Sequence, residues 1–231
     1  LLPLRGVRMA AEKLEVRGLT VGPMQSNCYL LRLRTGAAPG AGRALAVDPG
    51  HDDPRIRETL TEWGTDLAAI LLTHAHVDHV AGVPALHEQT GAPVYLHPDD
   101  RELYDRAPDQ ATNFGLRMPP LPEPDHELSG GQRLELAGIR FEVRHTPGHS
   151  PGGVTLCTDG AAFVGDCVFS GSIGRTDLPG GDGETLLRAI REQILTLPAD
   201  TALYPGHGPK TTVEKEKSSN PFLTGAFGGG G

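Results

Sequence analysis

The chain has 231 residues and a formal net charge of −8. Neither a nucleic-acid groove nor an anionic membrane surface welcomes that charge, and no apolar run approaches the roughly 20 residues that span a bilayer. A chain of this length buries a core without staples, and its three cysteines (Cys28, Cys157, Cys167) are odd in number with no paired spacing, so free thiols in a reducing cytoplasm are expected.

Residues 1–12 read as a disordered lead-in without the apolar core of a signal peptide, residues 13–224 as one domain, and the glycine-rich stretch 225–231 as a flexible tail. "KLEVRGL" and "SNCYLLRL" read as strands, "TGAAPGAG" as a loop, and "RALAVDPG" as a buried strand ending at Asp48. "DPRIRETLTEW" is a helix with Asp52 or Asp53 as cap, Pro54 near its first position and Gly64 behind it. "DLAAILLTH" is an apolar strand buried on both faces, and "DHVAGVPALHEQTG" reads as one helix ending at Gly91 despite Pro84 inside it. "APVYLH" is another strand. Residues 105–131 carry five prolines and little periodicity, and read as a long surface excursion in which Phe114 and Met118 contact substrate or pin the loop. Strands resume at "QRLELAG", "IRFEVRHT", "GGVTLCTD" and "GAAFVGDCVF". "GETLLRAIREQILTL" is an amphipathic helix, "TALYPGHG" a last strand and "TTVEKEK" a short charged helix. Strands followed by helix, strand and helix in each half suggest two β-sheets with helices outside, an αββα sandwich.

The densest chemistry follows the apolar strand. His74, His76, Asp78 and His79 crowd one turn. A single buried histidine is ordinarily a hydrogen-bonded core residue, but four such groups without a metal would leave several donors and acceptors to satisfy, at roughly 1–3 kcal/mol each. Imidazole and carboxylate suit zinc, iron or manganese. Further ligands are expected at other strand ends beside glycine, where His149, Asp166 and His207 lie in "HTPGHSPGG", "FVGDCVF" and "YPGHGP".

The order H-x-H-x-D-H, Gly-His, Gly-Asp, Gly-His resembles the metallo-β-lactamase superfamily over nearly the entire chain. The resemblance implies the αββα fold and two divalent metal ions, zinc and/or iron or manganese. It implies that His74, His76 and His149 hold the first ion, that Asp78, His79 and His207 hold the second, and that Asp166 bridges them. Asp78 would also orient the attacking hydroxide. The commonest β-lactamases of this type have cysteine at the Asp166 position, and flavodiiron proteins have glutamate at the His76 position and a flavin domain. The superfamily nucleases carry a large inserted domain for which there is no room here. "GSIGRTDLPGGD" and the ending "EKEKSSNPFL" resemble short bacterial glyoxalase II-like hydrolases, hydroxyacylglutathione hydrolase-like enzymes that cleave thioesters of 2-hydroxy acids such as S-lactoylglutathione. The helical extension with which long glyoxalase II enzymes bind glutathione has no counterpart in this sequence, which leaves the thiol carrier open.

Two ions sharing a water bring its pKa near neutrality, and the hydroxide attacks a thioester carbonyl whose thiolate, with a pKa of about 8.5, leaves without an acid. Asp48, at a strand end before Pro-Gly, is a partner for a ligand histidine or a backbone amide, or else a plain turn residue; Thr73 and Ser150 flank ligands. Arg175 meets a substrate carboxylate or pairs with Asp177 and braces its loop. His51, His87, His97, His126 and His145 have no motif position and read as surface or structural. The three cysteines read as inert. The expected partner is a small-molecule thioester, with no nucleic acid and no membrane. The competing readings are a persulfide dioxygenase with a single iron, which shares the motif and a "GRTD" loop, another ester, lactone or phosphodiester hydrolase, and a non-catalytic metal-binding domain.

Overall fold

The central strands are apolar at every position, so each needs cover on both faces. A computed structural model, which describes residues 13–34, 42–115 and 117–225, shows how they obtain it. The first half contains β1 (Lys13–Val21), β2 (Ser26–Arg34), β3 (Ala44–Val47), α1 (Pro54–Trp63), β4 (Leu67–Leu71), α2 (Val77–Val80), α3 (Val83–Thr90) and β5 (Val94–Leu96). A 3-10 turn (Pro98–Asp100), α4 (Arg101–Asp105), α5 (Ala107–Asn113) and β6 (His126–Glu127) follow. The second half contains β7 (Arg133–Leu136), β8 (Ile139–His145), β9 (Val154–Thr158), β10 (Ala161–Gly165), β11 (Val168–Phe169), β12 (Ser172–Ile173), α6 (Gly183–Ala189), β13 (Ala202–Pro205), β14 (Thr211–Thr212) and α7 (Val213–Ser219).

One six-stranded sheet runs β1-β2-β3-β4-β5-β6, the other β14-β13-β10-β9-β8-β7, and β11 and β12 form a small hairpin. The period-two geometry of a strand sorts its residues between cores. Cys28, Leu30, Ala46 and Ile70 point to the helices, where they meet Ile56, Trp63, Val83 and Leu86. Tyr29, Leu31, Val47 and Leu71 point to the facing sheet, against Phe141, Leu156 and Phe163. On the far side Ala162, Val164 and Leu203 pack under Leu186, Ile190 and Ile194. The result is the expected αββα sandwich. Among the described residues no helix is long and apolar enough to cross a membrane.

Local signals explain several boundaries. Asp53 caps α1 through the Arg55 amide, Pro54 opens it, and Gly64 closes it at φ 61° in the left-handed region. Two expectations need correction. The single helix over 78–91 is two helices, because the chain must turn at Gly82, where a Cβ would come within 2.5 Å of the Pro49 carbonyl oxygen. Pro84 then falls in the first turn of α3, where its missing N–H has no intrahelical partner to lose. The excursion over 105–131 begins with helix instead: α5 carries Pro108 in its first turn and buries Ala107 and Ala111, a helix too short to establish a readable periodicity. Tyr104 is buried beneath this segment and donates its hydroxyl to the Pro122 carbonyl at 2.9 Å, and Met118 packs on the same core. The lead-in over 1–12, and the tail beyond Gly225, lie outside the described residues.

Candidate metal centre

Strand register sets the site. Val47 of β3 pairs with Leu71 of β4 in parallel, so Asp48 and Thr73–His74 emerge side by side beyond their carboxyl ends. In the second sheet Gly165 of β10 pairs with Pro205 of β13 in parallel, and Asp166 and His207 emerge together. Such carboxyl edges are where layered α/β sheets collect ligands. Asn27 of β2 spans the two sheets: its amide N–H donates to the Gly206 carbonyl at 2.7 Å, and its side-chain NH2 donates to the carbonyls of Pro205 at 3.0 Å and Gly208 at 2.8 Å.

The seven residues singled out in the sequence meet here as two groups with Asp166 between them. One atom each of His74, His76 and His149 lie within 4.8 Å of one another, and the same holds for Asp78, His79 and His207. His76 Nδ1 and His149 Nε2 are 2.9 Å apart. Asp166 Oδ2 lies 3.5 Å from His149 Nε2 and 3.6 Å from His207 Nε2, and its Oδ1 lies 3.4 Å from His79 Nε2. Gly206 makes room for this: a Cβ there would overlap Asp166 Oδ1 and come within 2.6 Å of His79 Cε1.

Hydrogen bonds on the far side of each ring fix which nitrogen is free. His149 Nδ1 donates to the Arg175 carbonyl at 2.8 Å, and His79 Nδ1 donates to Asp48 Oδ2 at 3.1 Å. The Thr73 hydroxyl donates to Asp48 Oδ2 at 2.6 Å, so its oxygen accepts from His74 Nδ1 at 3.1 Å. Each arrangement turns an Nε2 toward the centre. On His79 burial disfavours charge, but Asp166 and Asp78 prevail and hold the ring well above the ordinary imidazole range, so without an ion it keeps a proton there. Asp48 also accepts the Thr73 amide N–H at 2.7 Å, so its carboxylate joins a ligand histidine to the adjacent loop.

Among the described residues, His74 Nε2, His79 Nε2 and Asp166 Oδ1 are buried without a hydrogen-bond partner. Three such atoms in one corner, each costing roughly 1–3 kcal/mol if left unpaired, fit a site that receives cations. The electrostatics agree. Burial, with His79 and His149 adding to it, holds His74 well below the ordinary imidazole range; burial and His149 bring His76 down to about 4. Both rings are therefore neutral donors at pH 7. Burial opposes charge on Asp166, but His79, His149 and His207 overcome it and keep the carboxylate ionised. Asp78 is held low in the same way, burial opposing and His79 and His207 prevailing, with His207 Nε2 at 3.0 Å from its Oδ2.

A cleft of about 860 Å³ opens over Asp78, Asp166 and His207. Leu103, Arg106 and Phe114 wall one side, and Phe169, Ile173 and Leu178 the other. Arg175 lines it while its guanidinium grips Asp177 at 2.7 and 2.8 Å. One atom each of Asp48, His74 and His79 also lie within 4.8 Å of one another, and a separate group, His97, Asp99 and His145, gathers outside the centre. Its two imidazoles stack at 4.3 Å with planes 8° apart, so no ion can lie in both ring planes, and their nitrogens already bond the Asp99 amide and the Pro151 carbonyl. That role is structural. The three cysteines are free and buried.

Sequence reasoning missed Asn27, Asp100 and the pair Glu216–Asn220. Glu216 is fully buried; its Oε2 accepts the Gly171 amide N–H at 2.9 Å and the Asn220 NH2 at 2.8 Å, and the latter also donates to the Ser172 carbonyl at 2.9 Å. The ending "EKEKSSNPFL" thus braces the β11–β12 hairpin that carries Phe169 and Ser172. The available signal was the i, i+4 spacing of Glu216 and Asn220, which reads as a solvated face in so charged a helix.

Residues 21–207 match the family model for the Metallo-beta-lactamase superfamily. Hydroxyacylglutathione hydrolase GloC of Haemophilus influenzae is 37% identical over 209 residues, which is 89% of this chain and 96% of that protein. Among solved structures, BLEG-1 B3 metallo-beta-lactamase superposes with a TM-score of 0.83 at 39% identity, covering 91% of this chain and 100% of that one. TTHA1623 in a di-iron-bound form superposes with a TM-score of 0.79 at 43% identity, covering 90% of this chain and 100% of that one.

Proposed function

The chain belongs to the metallo-beta-lactamase superfamily, and on that premise we propose that it is a binuclear metal-dependent thioester hydrolase acting on an S-2-hydroxyacyl thiol such as S-lactoylglutathione. The observation that carries the binuclear reading is the Asp166 carboxylate, which stands within 3.6 Å of the Nε2 atoms of His149, His79 and His207 and so lies between the two groups. The likeness to GloC supports the thioester.

His74 Nε2, His76 Nδ1 and His149 Nε2 would hold one ion; Asp78, His79 Nε2 and His207 Nε2 would hold the other; Asp166 would bridge. The donors are all nitrogen or oxygen, which suits zinc and iron, and manganese as well. When bound, two such ions bring a shared water toward neutral pKa and polarise a carbonyl. The protein contributes position. Asp48, Thr73 and the Arg175 carbonyl hold three of the rings in their donating tautomers, and Asp78, fixed by His207, orients the water. Phe169, Ile173 and Leu178 seat the acyl chain away from solvent, and Arg175 meets a carboxylate of the thiol carrier. The departing thiolate, with a pKa of about 8.5 as a free thiol, needs no acid from the protein. Three free, buried cysteines suit the reducing cytoplasm in which we place the enzyme.

The test is a substrate panel on protein of known metal content. Thiol release from S-lactoylglutathione, abolished by chelation and restored by zinc or iron, is expected. Oxygen uptake with glutathione persulfide by protein holding one iron would replace this reading with a dioxygenase, and hydrolysis of a β-lactam without thioesterase activity would replace it with a lactamase.

A further inference from the structure

Asp100 is fully buried, and its carboxylate bonds no ring of the metal centre. Its Oδ2 accepts the Ala75 amide N–H at 2.9 Å and the Ser150 hydroxyl at 2.9 Å, and its Oδ1 accepts the Gly152 amide N–H at 2.5 Å. Ala75 stands between His74 and His76, and Ser150 follows His149. One carboxylate therefore clips together the two loops that carry the three-histidine group. The fit is close: a Cβ at Gly152 would come within 2.9 Å of both Cβ and Cγ of Asp100.

The same residue roots the cleft wall. It closes the 3-10 turn Pro98–Asp100 and immediately precedes α4, from which Leu103 lines the cleft, as does Arg106 just past the helix end. Resting on the metal centre proposed above, we infer that Asp100 is the positioning residue of the first metal site and joins that site to the α4–α5 wall. Asp48 bonds a ligand ring as well as the Thr73 amide and hydroxyl; Asp100 bonds no ring but two backbone amides and the Ser150 hydroxyl, and so sets where two loops begin. The 2.9 Å between His76 Nδ1 and His149 Nε2 is a distance between those loops. Sites of this kind tolerate displacements of only about 0.5 Å.

Asp100→Asn keeps the volume but replaces one acceptor oxygen with an NH2 that faces a donor. Ser150→Ala removes a single hydrogen bond and preserves the fold if the first variant does not. Zinc stoichiometry and affinity are measured by competition with a chelator, with circular dichroism and thermal melting of the metal-free proteins alongside. Native protein is expected to hold two ions. Asp100→Asn retains one and binds the other about tenfold or more weakly, with Ser150→Ala showing a smaller loss in the same direction. A purely structural role would lower the melting temperature and leave the zinc affinity of folded protein unchanged. Folded variants that hold both ions with native affinity overturn the inference alone. Native protein that holds no zinc, iron or manganese overturns it together with the metal-centre reading.

Discussion

The main-chain carbonyl of Arg175 accepts the Nδ1 proton of His149 at 2.8 Å, while the guanidinium of the same residue grips Asp177 beside the cleft. One residue serves the histidine with its backbone and the cleft with its side chain, and the two roles separate by mutation. Arg175→Ala keeps the carbonyl, so bound metal stays at the native level. If the side chain meets a substrate carboxylate, KM rises roughly tenfold with kcat nearly unchanged. Steady-state kinetics with metal analysis distinguish the two; equal falls in kcat and metal content would place Arg175 in the centre itself.

Asp48 accepts from the Thr73 amide, the Thr73 hydroxyl and His79 Nδ1, all buried. Asp48→Ala strands these donors. The expected result is a loss of metal affinity of about 10–100-fold at the site that includes His79, and a lower melting temperature even in metal-free protein. Isothermal titration with zinc and thermal melts read the two effects.

Glu216 and Asn220 hold the β11–β12 hairpin from outside the cleft. Glu216→Ala removes the acceptor of the Gly171 amide and the Thr211 hydroxyl and one of the two acceptors of the Asn220 NH2, and costs about 2–4 kcal/mol of stability, read as a lower urea midpoint. Metal content should remain native, because neither residue touches a ligand, and KM should rise as the wall loosens.

The layering and the seven candidate ligands were legible because their signals are local. Apolar strands ending on Thr73–His74, Gly165–Asp166 and Gly206–His207 show both burial and exit point in a few residues. Asn27 and Asp100 were not legible because their partners are distant in sequence, and Glu216 because its near partners, Thr211 and Asn220, look like any polar pair until the Gly171 amide is folded against them. Asp100 follows the strand Val94–Leu96 in "HPDD", indistinguishable from an ordinary acidic helix start. Its function exists only once Gly152 has been folded against it. The helices of 101–113 escaped for a different reason: each is too short for its buried face to repeat.

Proton uptake should trace the burial of the site. In metal-free protein, burial and the neighbouring His149 bring His76 from the ordinary 6.5 down to about 4. The unfolded chain binds this proton near 6.5 and the folded chain only near 4, so the contribution to stability is complete above 6.5 and is lost as pH falls through that window. The unfolding free energy of chelator-treated protein, read from urea titrations, should fall by an amount on the order of 1–3 kcal/mol across it. His76→Gln should flatten that part of the profile; an unaltered profile would remove His76 from the cause.

His74 and His207 belong to opposite sheets, and Asn27 crosses the seam between them. Cations gripped from both sides would act as rivets through that seam. Halves that have not yet docked offer only fragments of a coordination shell, so tight loading reports completed assembly, and every bound ion draws the folding equilibrium toward the joined state by mass action. An ion bound there would add its binding free energy to a seam that the apolar core between the sheets already closes without it.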